Sequence, residues 1–368
     1  MLNLITGTTD LLRFTAALLS ASICIFTQDA WADPPDEPLA IKAQGDFYVG
    51  GQVSFSHATR SDGIDLDPGE VMSDQTWVQY QIPELERGRW PIVMIHGAWH
   101  SGKTYLSTPD GREGWATYFV RQGFATYVVD DVRRGRSGYD PTQHNLVRLG
   151  LAEHATLEPL WRISNERAWT AFRIGPAPGV TYANSQFPSA AAKQYFSQLA
   201  PTYLGPEETQ KRLAGLIGVL DKTGPAILVT HGSSGPVGWA AKEARPELVK
   251  GIVALEPPAK EAPADLDSLV DTPLLLIRGD FDSPLAVDQA KSFVDQLNAA
   301  GANSQFFSLP AIGITGNSHV MMMENNNLEI ADIIIGWIDE NLGMNNSTEV
   351  SKSVCDEQRE DRPGLRCR

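Results

Sequence analysis

Ala226-Ile227-Leu228-Val229-Thr230-His231-Gly232-Ser233-Ser234-Gly235-Pro236 reads as a buried strand, a sharp glycine-serine turn and the first residues of a helix. Its apolar half is too short for a helix and is cut off by small turn residues, which is how a fully buried strand announces itself. Downstream, the helical stretch from about Gly235 to Arg245 must stop at Pro246, because proline disfavours helix in the residue before it. The turn fits G-x-S-x-G in no register. With Ser234 central, Pro236 replaces the second glycine; with Ser233 central, His231 replaces the first. The strand end Thr230-His231 and the helix stop at Pro246 bracket the turn without choosing its central residue.

Similar apolar runs recur on either side. Strands are expected at Gln75 to Ile82, Pro91 to His96, Ala125 to Asp130, Gly251 to Glu256, Pro273 to Gly279 and Gln305 to Pro310. Several are almost wholly apolar, as strands of a parallel sheet covered on both faces must be. Helical patterns lie between them at Trp115 to Gln122, Glu207 to Asp221, Val237 to Arg245, Leu285 to Ala299 and Leu328 to Asn341. The alternation predicts an α/β chain with a doubly wound, mostly parallel sheet. One connection, from Asp130 to Ala226, is too long for a simple crossover, so an inserted cap is expected at about 140–204. Its Trp161, Trp169, Phe172, Tyr182, Phe187, Tyr195 and Tyr203 are expected to form a small aromatic core of the cap itself.

The ends of the chain carry a different signature. Phe14 to Phe26 is apolar but too short to span a bilayer, and Ala30-Trp31-Ala32 is a small-x-small cleavage site before Asp33. Residues 1–32 are therefore expected to be a signal peptide, which makes the protein exported, either periplasmic or secreted, with no integral membrane segment after signal removal. The main domain is expected over 33–343 and a polar tail over 344–368. Two of the three cysteines, Cys355 and Cys367, fall in that tail, where an oxidising compartment would permit a bridge; no histidine lies nearby to suggest a metal. A formal net charge of −15 argues against a nucleic-acid partner. The oligomeric state is not legible.

Gly97-Ala98-Trp99-His100-Ser101-Gly102-Lys103-Thr104 matches G-x-x-x-x-G-K-T, the phosphate-binding P-loop, and follows an apolar strand. A P-loop needs a helix starting at its Gly-Lys-Thr so that the helix N-terminus faces phosphate. Here Ser107-Thr108-Pro109-Asp110-Gly111 breaks any helix within a turn, and bulky Trp99 and His100 sit where amides must wrap a phosphate. A nucleotide binder is accordingly the remote alternative. The same loop suits an oxyanion hole, with the amides of Ala98 or Trp99 pointing at a substrate carbonyl oxygen.

With His96-Gly97 ending a strand, the turn at 226–236 and a late Gly316-Asn317-Ser318-His319, the chain resembles the α/β-hydrolase superfamily. It looks most like the secreted esterase 713-like branch. Thr108-Pro109-Asp110-Gly111-Arg112-Glu113-Gly114-Trp115, Arg134-Gly135-Arg136-Ser137, Gly224-Pro225-Ala226-Ile227-Leu228 and Ala254-Leu255-Glu256-Pro257 carry the resemblance over nearly all of 44–342. It implies the α/β-hydrolase fold and places the family's nucleophilic serine at Gly232, its acid at Glu256 and its histidine at His319.

The residues themselves leave several roles open. An activated serine needs a base within reach and a carboxylate to hold that base in the right tautomer. His319 suits the base; Glu256 is the favoured acid and Asp282 the alternative. For the nucleophile, Ser233 requires a slip of one residue from the family register and Ser234 a slip of two; Ser233 is preferred. The expected function is hydrolysis of a small-molecule carboxylic ester with no cofactor and no metal. The alternative is a catalytically silent or non-serine member of the fold, binding a ligand or acting as a lyase; His319 acting on water is a further possibility.

Overall fold

The computed structural model describes residues 37–56, 67–203, 205, 207–258, 263 and 266–343. The signal-peptide segment and the tail cysteines lie outside them.

Eight strands form the main sheet: β1 (Ile41–Ser56), β2 (Gly69–Pro83), β3 (Ile92–Ile95), β4 (Thr126–Asp130), β5 (Ala226–His231), β6 (Val249–Leu255), β7 (Leu274–Arg278) and β8 (Ser304–Ser308). Their spatial order is β1-β2-β4-β3-β5-β6-β7-β8. β1 pairs antiparallel with β2, and β2 antiparallel with β4. Every later neighbour is parallel. Every residue of β3, β4, β5 and β7 is buried, which is why these runs carry no polar alternation.

The period of two decides which layer each strand residue feeds. In β3, Ile92 and Met94 join the core beneath α1 (Trp115–Arg121) and α5 (Asn327–Asn341). Val93 and Ile95 face the other layer, with α2 (Glu208–Thr223), α3 (Gly235–Ala244) and α4 (Pro284–Ala299). This is the doubly wound arrangement expected from the sequence. The long first strand was not expected. Its burial alternates between half-buried and exposed over most of its length, and Gly45, Gly50 and Gly51 dilute its strand signal.

Between β4 and α2 the chain forms short helices at Thr142–Arg148, Asn165–Ala171 and Ala192–Ser197, and an antiparallel pair joining Leu160–Trp161 to Thr202–Tyr203. The aromatic residues here depart from expectation. Trp169, Phe172, Phe187 and Tyr195 do not form a separate core but merge with the layer of α1 and α5, whereas Trp161 is exposed. Stacking these rings on an existing apolar layer buries more surface than a small isolated cluster could.

In the sheet order the chain turns back at β3, where β4 lies on one side and β5 on the other. That switch point opens a crevice at the carboxyl ends of the strands, where open α/β sheets bind ligands.

Candidate active site

Four chain segments meet in that crevice: the loop after β3, the turn after β5, the end of β6 and the loop between β8 and α5. Together with Phe172 and Arg173 of the insertion they line a cavity of about 260 Å³, whose wall includes Ala98, Gly232, Ser233, Glu256 and His319.

Gly232 adopts φ +51° at the apex between β5 and α3, the left-handed conformation that a sharp strand-to-helix turn demands and that glycine adopts at no steric cost. Residues Gly232–Ser234 form one turn of 3-10 helix before α3. A Cβ on residue 232 would stand 3.2 Å from His319 Nε2 and 3.4 Å from its Cε1. The glycine, and not a serine, is thus the residue that faces the imidazole. Ser233 lines the cavity, and its carbonyl accepts a hydrogen bond from Arg212 Nη1 at 3.0 Å. Ser234 is turned away. Its fully buried hydroxyl accepts from the His231 amide at 2.8 Å and bonds the carbonyls of Ile95 and His231 at 3.0 Å each, stitching β3 to β5 beneath the turn.

His319 hangs in the loop before α5. Its backbone amide donates to the Phe172 carbonyl, its carbonyl meets His231 Nε2 at 2.8 Å, and its ring stacks on Phe172 at 5.4 Å. Its Nδ1 faces Glu256 Oε2 at 3.7 Å, slightly beyond hydrogen-bond length. Among the described residues neither ring nitrogen bonds a serine. Asp280, in the loop after β7, fixes the same segment: its carboxylate accepts from the Gly316 amide at 2.8 Å, and its amide donates to the Asn317 carbonyl at 2.7 Å.

Glu256 sits just past β6 with a side chain fully removed from solvent and a backbone at φ +52°. Such a conformation costs a non-glycine residue of order 1–3 kcal/mol and persists where the surroundings enforce it. Here they do: Oε1 accepts from the Gly279 amide at 2.6 Å, and Oε2 accepts from Arg173 at 2.5 Å and from Arg278 at 3.4 Å. Burial alone would raise the carboxyl pKa, but Arg173, His319 and Arg278 override it and hold the group far below the usual carboxylate range. Asp282 also bonds Arg278 and lies 3.7 Å from Arg173, so it belongs to the same ion cluster while making no contact with His319. Burial likewise depresses the pKa of His319; the pull of Glu256 opposes this and Arg173 adds to it. His231 and His100, packed beside it, are pushed down by burial first, His100 to about 3.

Of the two amides suggested for an oxyanion hole, that of Trp99 donates to Thr202 Oγ1 at 3.2 Å. The Ala98 amide has no partner among the described residues. The P-loop resemblance has no structural counterpart. Lys103–Leu106 is a four-residue helix, the Gly102 amide is taken by the Asp130 carboxylate at 2.6 Å, and Lys103 Nζ bonds Ser107. Among the described residues, no group of His, Cys, Asp or Glu converges to hold a metal, and no helix is long and apolar enough to cross a membrane.

No family model matches the chain. A bacterial esterase whose structure was solved at atomic resolution is 34% identical to it, covers 85% of this chain and all of its own, and superposes with a TM-score of 0.78. The chain belongs to the α/β-hydrolase superfamily. A protein named a probable secreted lipase phiG, from Fungal sp. (strain ATCC 74256), is 28% identical to it over 377 residues, or 88% of this chain and 97% of its own. Within this α/β-hydrolase the sequence had no means of revealing Arg173 as a partner of the acid. Arg278 did leave a signal: an arginine closing the buried run Leu274-Leu275-Leu276-Ile277 needs a carboxylate.

Proposed function

We propose that the protein is an exported hydrolase that cleaves small carboxylic esters in the cavity at the Gly232 turn, without a cofactor. The supporting observation is the line Glu256, His319, Gly232, in which Nδ1 of the imidazole is directed at a buried carboxylate and Nε2 at the turn apex. In this reading Glu256 fixes the tautomer with its proton on Nδ1, and His319 Nε2 is the general base. The Ala98 and Ser233 amides receive the oxyanion, and residues 140–204 cap the cavity. Donors preorganised in this way contribute about 3 kcal/mol each to the transition state. The bacterial esterase and the fungal protein named as a secreted lipase support an ester substrate and export, as does the signal-like segment 1–32.

The second reading, a silent member of the fold, has Gly232 in its favour. Replacing His319 by alanine separates the two on a panel of short p-nitrophenyl esters. Ester cleavage by the native protein that falls at least about 10³-fold in the variant is expected, and hydrolysis undiminished by His319→Ala would remove the base from the scheme. Intact mass of exported protein beginning at Asp33 would fix the mature terminus, whereas retention of residues 1–32 would refute export by cleavage.

A further inference from the structure

We propose that Gly232 forms a seat for the hydrolytic water, so that this chain attacks its ester directly and makes no acyl-enzyme; the proposal rests on the ester-hydrolase reading above. Three observations carry it. The apex residue keeps the left-handed backbone of a strand-to-helix turn at φ +51° but contributes no side chain. The acid and base around it are each fixed at several points: Glu256 is fully buried and gripped by Arg173, Arg278 and the Gly279 amide, and His319 is tied at its own amide and carbonyl and stacked on Phe172.

The third observation is one of size. The point where a Cβ would stand is only 3.2 Å from His319 Nε2, which is itself hydrogen-bond distance. A serine there would need the imidazole to give by a few tenths of an ångström before its hydroxyl could enter. With no side chain on residue 232 the cavity stays open beside it, and a water resting against the bare Gly232 Cα, next to and not at the Cβ point, would come within reach of Nε2. In this scheme Nε2 accepts one hydrogen bond from the water, and the amides of Ala98 and Ser233, residues that line the same cavity, are left for the carbonyl oxygen of the ester. The serine hydroxyls do not compete for this role, because Ser234 is locked beneath the turn and Ser233 makes no bond to His319 among the described residues.

The chemistry balances without any other reactant. His319 Nε2 takes one proton from the water as its oxygen bonds the acyl carbon, and the carbonyl electrons become an oxyanion held by the Ala98 and Ser233 amides. On collapse the C–O bond to the alcohol breaks, and the departing oxygen takes the proton back from His319. One water and one ester yield one acid and one alcohol.

The test uses the full exported chain with p-nitrophenyl acetate and a fluorophosphonate probe. The native protein should turn over the ester, yet rapid acid quench and intact mass should find no acetyl adduct, and fluorophosphonate should leave every serine unlabelled. Gly232→Ala, whose methyl crowds the space between Cα and His319 that the water needs, should lose at least about 100-fold in kcat. Because that variant is strained, Gly232→Ser is the companion: it should gain fluorophosphonate labelling at position 232, which demonstrates that the turn still folds with a side chain there. An acetyl or phosphonyl adduct on Ser233 of the active native protein would overturn the water seat while leaving the ester-hydrolase reading intact. A native protein without turnover, rescued by Gly232→Ser, would overturn the proposal in favour of the silent reading, and absence of turnover in all three would overturn both.

Discussion

A carboxylate that answers to two arginines has less to give to its histidine. Glu256 is nearly saturated by Arg173, Arg278 and the Gly279 amide, so its hold on His319 is electrostatic at 3.7 Å and not a short hydrogen bond. Glu256→Gln should cost ester hydrolysis on the order of 10³- to 10⁴-fold, the scale of losing the orienting carboxylate in serine proteases. It should also destabilise the fold by up to about 3 kcal/mol, because Arg173 and Arg278 are then left to share Asp282 as their counter-charge. Asp282→Asn keeps the Glu256 contacts and should cost less than about tenfold. Measuring both rates and both urea midpoints checks the assignment, and a larger loss of rate from Asp282→Asn would transfer the orienting role to it. The lowered pKa of His319, caused by burial and then by the neighbouring arginines against the pull of Glu256, sets the pH dependence. A base is active when unprotonated, so the rising limb of kcat/KM should lie below pH 6.5, the ordinary histidine value. A limb above that value would show that Glu256 dominates the imidazole.

At the level of elements, the loop after β3 tests how far a motif can mislead. Lys103 is spent on Ser107, and the Gly102 amide on Asp130, so Lys103→Ala should leave ester hydrolysis within about twofold and no ATP binding should be detectable by calorimetry. Micromolar ATP affinity abolished by that change would contradict the loop's geometry. The elements most legible in the sequence were those buried on both sides. Ala226–His231 has the same bounds in both accounts, and β3, β4 and β7 differ by a residue or two at their ends, because a continuous apolar run admits few alternatives. β1 was missed because an edge strand wetted on one side and interrupted by glycines carries little of that signal. The helices at 142–148, 165–171 and 192–197 span at most two turns, too few for a helical period to stand out. At the site, the resemblance to the α/β-hydrolases pointed to Gly232 at the turn, and the residue there has the left-handed backbone of a sharp turn. The arginines around Glu256 were not legible, since residue 173 and residue 256 meet only in space.

For the whole molecule, the buried titratable groups fix how acid acts on the fold. His96, His100, His231 and His319 are all depressed, with burial the leading cause in each. Unfolding lets them rise to about 6.5 and bind protons. The unfolded chain therefore holds more protons below that value, so stability is complete above it and falls as pH drops through the window down to about 3, the value for His100. Glu256, depressed in the folded state, acts in the same direction. Glu324 opposes them: burial pushes it up to about 7, so its contribution is present in acid and fades toward neutrality. With the histidines outnumbering it, the urea midpoint should be lower at about pH 5 than at about pH 7; a flat profile would mean that the folded and unfolded chains bind equal numbers of protons over that range, against the depression of these rings by burial.

The long hairpin has a further consequence, one of timing. β4 pairs with β2 only along Trp77–Gln81, whereas β1 and β2 run on together to the Ser56 and Gly69 end. Among the described residues the distal ribbon, beyond Val49 and Thr76, thus has no third strand, and isolated pairs of strands are marginal in water. Its amides should exchange with deuterium well before those of β3 and β5, opening as a local unit while the sheet beside it stays shut. Ser56 Oγ shares a 2.5 Å hydrogen bond with Thr142 Oγ1, at the start of the insertion. Each opening of the ribbon must release that tether, so the helix Thr142–Arg148 should loosen on the clock of a hairpin at the far edge of the sheet.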